Sequence, residues 1–392
     1  MPFYDLTEYL KLSAVLNYQF IAKEVNWNGI LSVMLGKNKL PGNETEILVQ
    51  VLHYLYDLYG EKRRRLGSLM VLHPLRVATL LSRASDNPTL IEYITTLLHD
   101  IFEDILPAEM KPVDCMQDDQ KFMSFLNKIP KGEQWFLMER LDWLTKRESE
   151  SYYQYIGRLL DKSASTPEVV QAKLADRLDN TLDLRIDLED PLHGVDFFEN
   201  IFQVLFNHSY KGYIPDLPHS SITALNGAER LYQLFKNTVL MSLIRQKRTL
   251  ENDAVAKEIF DNLAKASMKE AQRITLHIFA YHETDVSKLR ELLKVTMDYL
   301  YQGGVDSVTV PTPASRLDGL FLSHFYDPVK ENLKKKLAEF YKDKTLMVQA
   351  ALAFIVIFLS FQNDPYYYVH GISPEGVQPE MASGKDIGSE ER

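Results

Sequence analysis

Along most of this chain apolar residues recur at helical spacing, and strand signals are few. Leu6, Leu10, Leu12 and Leu16 show it near the start. Leu289, Leu292, Leu293 and Val295 show it far downstream. A chain patterned this way buries its apolar surface by packing helix on helix, so the expected fold class is all-α, a helical bundle followed by a C-terminal helical extension. Apolar residues make up 45% of the 392 residues, enough core for two or three packed units at roughly 100–200 residues each.

The pattern predicts helices over 5–24, 46–60, 73–84, 89–105, 152–161 and 167–187. Pro41-Gly42-Asn43 lies in a predicted loop, Asp86-Asn87-Pro88 marks a turn, and Pro215 to Ser221 is another loop. From 224 to 361 the spacing is again helical, broken near Gly303-Gly304 and at 311–313. Asp306 to Val310 is a candidate short strand. The expected organisation is an N-terminal helical extension (1–45), a catalytic domain (46–223), a C-terminal helical region (224–370) and a disordered tail (371–392) rich in Gly, Pro, Ser and Glu.

Composition excludes several classes. A net charge of -10 argues against binding nucleic acid through its phosphate backbone. One cysteine, Cys115, allows neither an internal disulfide framework nor a thiolate zinc site. No segment near Met1 has the make-up of a secretion signal. The longest apolar run, Ala350 to Phe361, is shorter than the roughly 20 residues a membrane span needs. It is expected to be a buried core helix, in a cytoplasmic protein with no membrane partner.

Three short segments carry chemistry: His73-Pro74; His99-Asp100-Ile101-Phe102-Glu103-Asp104; and Lys173-Leu174-Ala175-Asp176-Arg177-Leu178-Asp179-Asn180. Imidazole and carboxylate are both ligands for first-row divalent metals. On one continuous helix Glu103 would lie a turn from His99 and Asp104 a turn from Asp100. Ile94, Leu97, Leu98, Ile101 and Phe102 surround them, so that helix is expected to be buried. Three acids and a histidine there are unfavourable unless a cation compensates. Asp176 raises the same problem among Val169, Val170, Leu174 and Leu178. Taken singly, each segment has an ordinary explanation, a helix start or an ion pair. Taken together, they point to a metal held by His73, His99, Asp100 and Asp176.

In this order the segments resemble the HD hydrolase domain of the RelA/SpoT family and the small alarmone hydrolases, over about residues 46–190. Arg64-Arg65-Leu66-Gly67 is similar to that family's basic approach to its first ligand. The resemblance implies hydrolysis of guanosine tetra- and pentaphosphate at the 3′ position with release of pyrophosphate, usually with one Mn²⁺. It implies His73, His99, Asp100 and Asp176 as ligands. Glu103 and Asp104 would handle the attacking water and the leaving oxygen. Arg64, Arg65, Lys173 and Asn180 are the expected substrate contacts, Arg64 on phosphates and Asn180 on the nucleoside.

The chain departs from the family at Ser68 to Leu72, where a Tyr is common, and at Asp179, where a His is common. Asp183 and Asp187 add negative charge beyond Asn180. These changes are expected to touch the base and phosphate pocket rather than the metal. Two other readings therefore stay open: an HD phosphatase or phosphodiesterase for another nucleotide, and a non-catalytic nucleotide-responsive protein. Residues 225–370 carry no companion motif, and homo-oligomerisation, a lid or ligand sensing are all open to them.

Overall fold

The computed structural model describes residues 5–378 except 22–23, 61, 65–66, 106–118, 164, 185–188, 216–224, 284 and 313. Arg65, Cys115 and Asp187 thus lie outside the described residues. The described chain is almost entirely helical and divides into two compact units, residues 1–182 with 248–263, and 183–247 with 264–392.

The first unit contains α1 Leu6–Ile21, α2 Trp27–Leu35, α3 Gly42–Tyr59, α4 Leu72–Ala84, α5 Leu90–Leu97, α6 Ile101–Ile105, α7 Gln120–Leu126, α8 Lys131–Leu144, α9 Tyr152–Ser163 and α10 Glu168–Leu182. Its centre is α4, whose residues from Leu72 to Ser82 are all buried. A helix apolar on every side must be surrounded, and α4 packs against α10, α5, α2 and α1. The α1 and α2 helices thus share this unit's packing instead of forming a separate extension at 1–45. Leu12, Leu16, Ile30 and Met34 belong to the same apolar cluster as Leu75, Ala78 and Leu97.

Local chemistry sets several helix ends. Thr89 accepts from the Glu92 backbone while the Glu92 side chain accepts from the Thr89 backbone, a reciprocal cap that starts α5. Asp119 caps α7 by accepting from Lys121 and Phe122.

The expected helix over 89–105 is two helices joined by a turn at Leu98-His99-Asp100. His99 Nδ1 donates to the Thr96 carbonyl at 2.7 Å, the acceptor that an unbroken helix would offer to the Asp100 backbone N–H. The break moves the site residues off the single helical face the spacing implied.

The second unit contains α11 Phe197–Asn207, α12 Gly227–Gln246, most of α13 Ala254–His282, α14 Val286–Tyr301, α15 Leu320–His324, α16 Lys330–Lys342 and α17 Lys344–Asn363. The first ten residues of α13 fall in the first unit. Phe235, Phe321, Phe325, Phe340 and Phe354 make an aromatic core in edge and stacked pairs. The run Ala350 to Phe361 lies within α17, mostly buried, as expected of a core helix. By length and composition α17 could also cross a membrane.

Two expectations fail here. The candidate strand at 306–310 is a 3-10 helix, Gly304–Thr309. Its Val and Thr residues supply packing rather than pairing, with Val305, Val308 and Thr309 buried. The expected disorder does not begin at 371. Ile372–Ser373 pairs with Gly376–Val377, the Gln378 N–H donates to the Gly371 carbonyl, and Ile372 and Ser373 are buried. Gly371 sits at φ 82°, where a side chain is strained, and an added Cβ would lie 2.7 Å from Thr309 Oγ1. The remaining tail, 379–392, is outside the described residues.

Candidate metal centre

Three segments of the first unit converge. His73 sits in the first turn of α4, His99 and Asp100 on the turn between α5 and α6, and Asp176 midway along α10. One ligand atom from each lies within 4.8 Å of the others. His73 Nε2 and His99 Nε2 are 3.2 Å apart, and each is 3.2 Å from Asp100 Oδ2. Asp176 Oδ1 is 3.4 Å from His73 Nε2 and 3.7 Å from His99 Nε2. A cation bound at about 2.0–2.2 Å spaces neighbouring donors by roughly 3.0–3.5 Å, so the cluster fits one divalent ion.

The imidazole orientations support the same conclusion. Each ring spends Nδ1 on a fixed acceptor and turns Nε2 inward. His99 Nδ1 donates to Thr96 O, and His73 Nδ1 donates to Asp179 Oδ2 at 2.6 Å. Anchoring one ring nitrogen so that the other can ligate is the usual support for a metal-bound histidine. Arg76 holds Asp179 from beneath, Nε to Oδ1 at 2.7 Å and one terminal guanidinium nitrogen to Oδ2 at 3.0 Å. Asp179 is fully buried and Arg76 nearly so. Asp179 therefore lies behind a ligand and not at the substrate rim, which corrects the expectation drawn from the sequence. Asp183 is buried too.

The proton equilibria reflect crowding. Burial pushes Asp100 and Asp176 upward. The neighbouring imidazoles, with Lys173 beside Asp176, outweigh it and hold both carboxyls well below their ordinary range. Burial and Arg64 both lower His73, yet hydrogen bonds to Asp100, Asp176 and Asp179 push it up to about 9. Burial lowers His99, but Asp100 and Asp176 outweigh it and raise the ring well above its ordinary value. A divalent cation answers this excess of donor groups directly.

Glu103 and Asp104, on α6, remain open to solvent. The protein around them still desolvates both carboxyls and raises them, with Asp100 adding to the effect. Glu103 accepts from the Lys146 backbone N–H at 2.6 Å, and Asp104 accepts from the Tyr59 hydroxyl at 3.0 Å. Both are thereby fixed in orientation beside the ligand set.

The sequence placed Lys173, Asn180 and Arg64 on substrate, whereas their contacts here run to the ligand set. Lys173 Nζ is 2.8 Å from Asp176 Oδ2 and lies 5.1 Å over the Tyr155 ring. Asn180 Nδ2 donates to Asp176 Oδ1 at 2.5 Å and its carbonyl accepts from Arg64 at 2.9 Å. Arg64 also lies 3.8 Å from Asp179 and remains 28% exposed in its side chain. Sequence reasoning missed the roles of Asp179 and Arg76. The available signal was that His73, Arg76, Asp176 and Asp179 are each three apart on two facing helices.

Residues 70–181 match the family model for the HD domain, a superfamily of metal-dependent hydrolases. All four ligand residues fall within the match. No curated protein and no solved structure matches the chain. Residues 70–181 of this all-α chain are thus similar to the HD domain and bring together a centre that can hold a divalent metal.

Proposed function

We propose that this protein hydrolyses a phosphorylated nucleotide, with guanosine 3′,5′-bis(diphosphate) as the first substrate to test and pyrophosphate from its 3′ position as the product. The observation that carries the reading is the pair Glu103 and Asp104. They flank the four-ligand centre, fixed by Lys146 and Tyr59, and burial raises both carboxyls above their ordinary values. A bound divalent ion, Mn²⁺ in this reading, would acidify a water and polarise a phosphoryl oxygen. In this reading Glu103 and Asp104 take the water's proton and return one to the leaving oxygen. Arg64, partly exposed beside the centre, is suited to a phosphate. Lys173 and Asn180 would act mainly by holding Asp176.

The test is phosphate and pyrophosphate release with Mn²⁺ from a panel of guanosine tetraphosphate, NADPH and nucleoside monophosphates. Pyrophosphate from the tetraphosphate, abolished in Asp176→Ala, supports the reading. Release from another member alone transfers the activity to a different nucleotide. That second reading is favoured by Lys173 and Asn180 being engaged on Asp176. A Glu103→Ala variant that keeps its metal and its biological effect without turnover would instead favour a nucleotide-responsive protein.

A further inference from the structure

The second unit holds a cavity of about 440 Å³ between α13, α14 and the start of α17. That volume falls within the usual range for a small-molecule site, roughly 300–1,000 Å³. Its walls are apolar, with Ile278 and Phe279 from α13, Leu292 from α14 and Val348 from α17. Its polar groups are less ordinary. Lys344 has no carboxylate within ion-pair distance among the described residues; its ammonium donates to the Tyr341 carbonyl at 2.6 Å and lies 3.2 Å over the Tyr341 ring. His282, the last residue of α13, also lines the cavity, near enough to feel the Lys344 charge. The Gln349 side-chain oxygen is buried and accepts no hydrogen bond among the described residues, which leaves room for a donor rather than an acceptor beside it.

Charge in the cavity is unevenly compensated. Burial lowers Lys344, and burial followed by Lys344 and His277 lowers His282. No carboxylate offsets either shift. Of the two acids lining the cavity, Glu283 lies 3.8 Å from Lys288, while Glu291 on α14 is exposed to solvent. Asp343, next to Lys344, accepts from the Leu346 backbone and pairs with Arg316. The first turns of the 20-residue α17 also line the cavity, and backbone N–H groups at a helix start favour negative charge.

We propose that this cavity binds a small amphipathic anion, its apolar body against Phe279, Leu292 and Val348 and its carboxylate on Lys344. Such a ligand gives the Lys344 ammonium the carboxylate it lacks among the described residues and covers the apolar walls in one step. The site is independent of the metal centre, since every lining residue belongs to the second unit.

The experiment is isothermal titration of the full chain with octanoate, and with octylamine as the charge control. Octanoate is expected to bind and octylamine to fail. Lys344→Ala should weaken octanoate about tenfold or more, the usual effect of losing a charge-assisted hydrogen bond. Leu292→Trp should block it by filling the cavity from a half-buried wall, and circular dichroism on both variants checks the fold. Absence of octanoate binding, equal binding of octylamine, or unchanged binding in the two folded variants would each overturn the proposal.

Discussion

Each unit of this protein buries a cluster of charges, and the two clusters are built differently. In the first, two imidazoles and two carboxylates turn their ligand atoms toward one point, with His73 Nε2 and His99 Nε2 only 3.2 Å apart. In the second, cations and anions alternate. Arg230 donates to Glu270, Arg273 lies 3.7 Å from Glu270, and Arg273 also holds Asp190 at 2.7 and 3.1 Å. Arg230 and Glu270 are each 1% exposed. The second cluster balances cations against anions within itself. The first brings four metal-type donors to one point, a geometry that suits a cation. Burial of charge alone does not mark a functional site; convergence of imidazole and carboxylate ligand atoms does.

That contrast can be tested, beginning with the largest effect. Asp176→Ala is expected to abolish divalent-metal binding, measured by metal content after dialysis, while far-ultraviolet circular dichroism stays native. Metal retained at wild-type stoichiometry would mean that the converging donors do not form the site. Glu270→Ala is expected to destabilise the fold by about 3–5 kcal/mol, because it strands a buried Arg230. Chemical denaturation measures this, and metal affinity in native buffer should not move. An altered affinity would break the distinction between the clusters.

Asp179→Asn comes next. An amide cannot accept at both oxygen positions, so it cannot serve His73 and both Arg76 nitrogens. Metal affinity should fall about 10–100-fold, as when other supports of metal-bound histidines are removed. Titration calorimetry on the metal-free protein reads this without any turnover, and an unchanged affinity would reduce Asp179 to a structural partner of Arg76. Thr89→Ala should have the smallest effect, about 1 kcal/mol of stability from loss of the α5 cap. Its thermal unfolding should shift while metal affinity holds.

The all-α class was legible because helical spacing persists along the chain. The four ligand residues were legible because three segments each placed imidazole or carboxylate in apolar surroundings, where an uncompensated charge is costly. The break at Leu98-His99-Asp100 was not legible. No Gly or Pro marks it, and the His99 bond to the Thr96 carbonyl exists only once the turn has formed. Asp179 was hidden for a related reason. Its position in the motif suggested the pocket, but which side of α10 faces α4 is decided by packing. The 3-10 segment at 304–309 misled because Val and Thr favour strands only where another strand is available to pair.

Residues 248–263 belong to the same compact unit as the metal centre although they follow in sequence much of the second unit. Within that unit Gln171, five residues before Asp176, donates to Asp253 at 2.9 and 3.1 Å. During synthesis the ribosome delivers every metal ligand well before it delivers Asp253. A nascent chain ending near residue 223 therefore carries all four donors without the segment that completes their surroundings. Completion of the compact unit around the centre waits on translation of residues far beyond the motif, and a fragment cut from the chain at the motif's own borders would be expected to fold poorly for that reason.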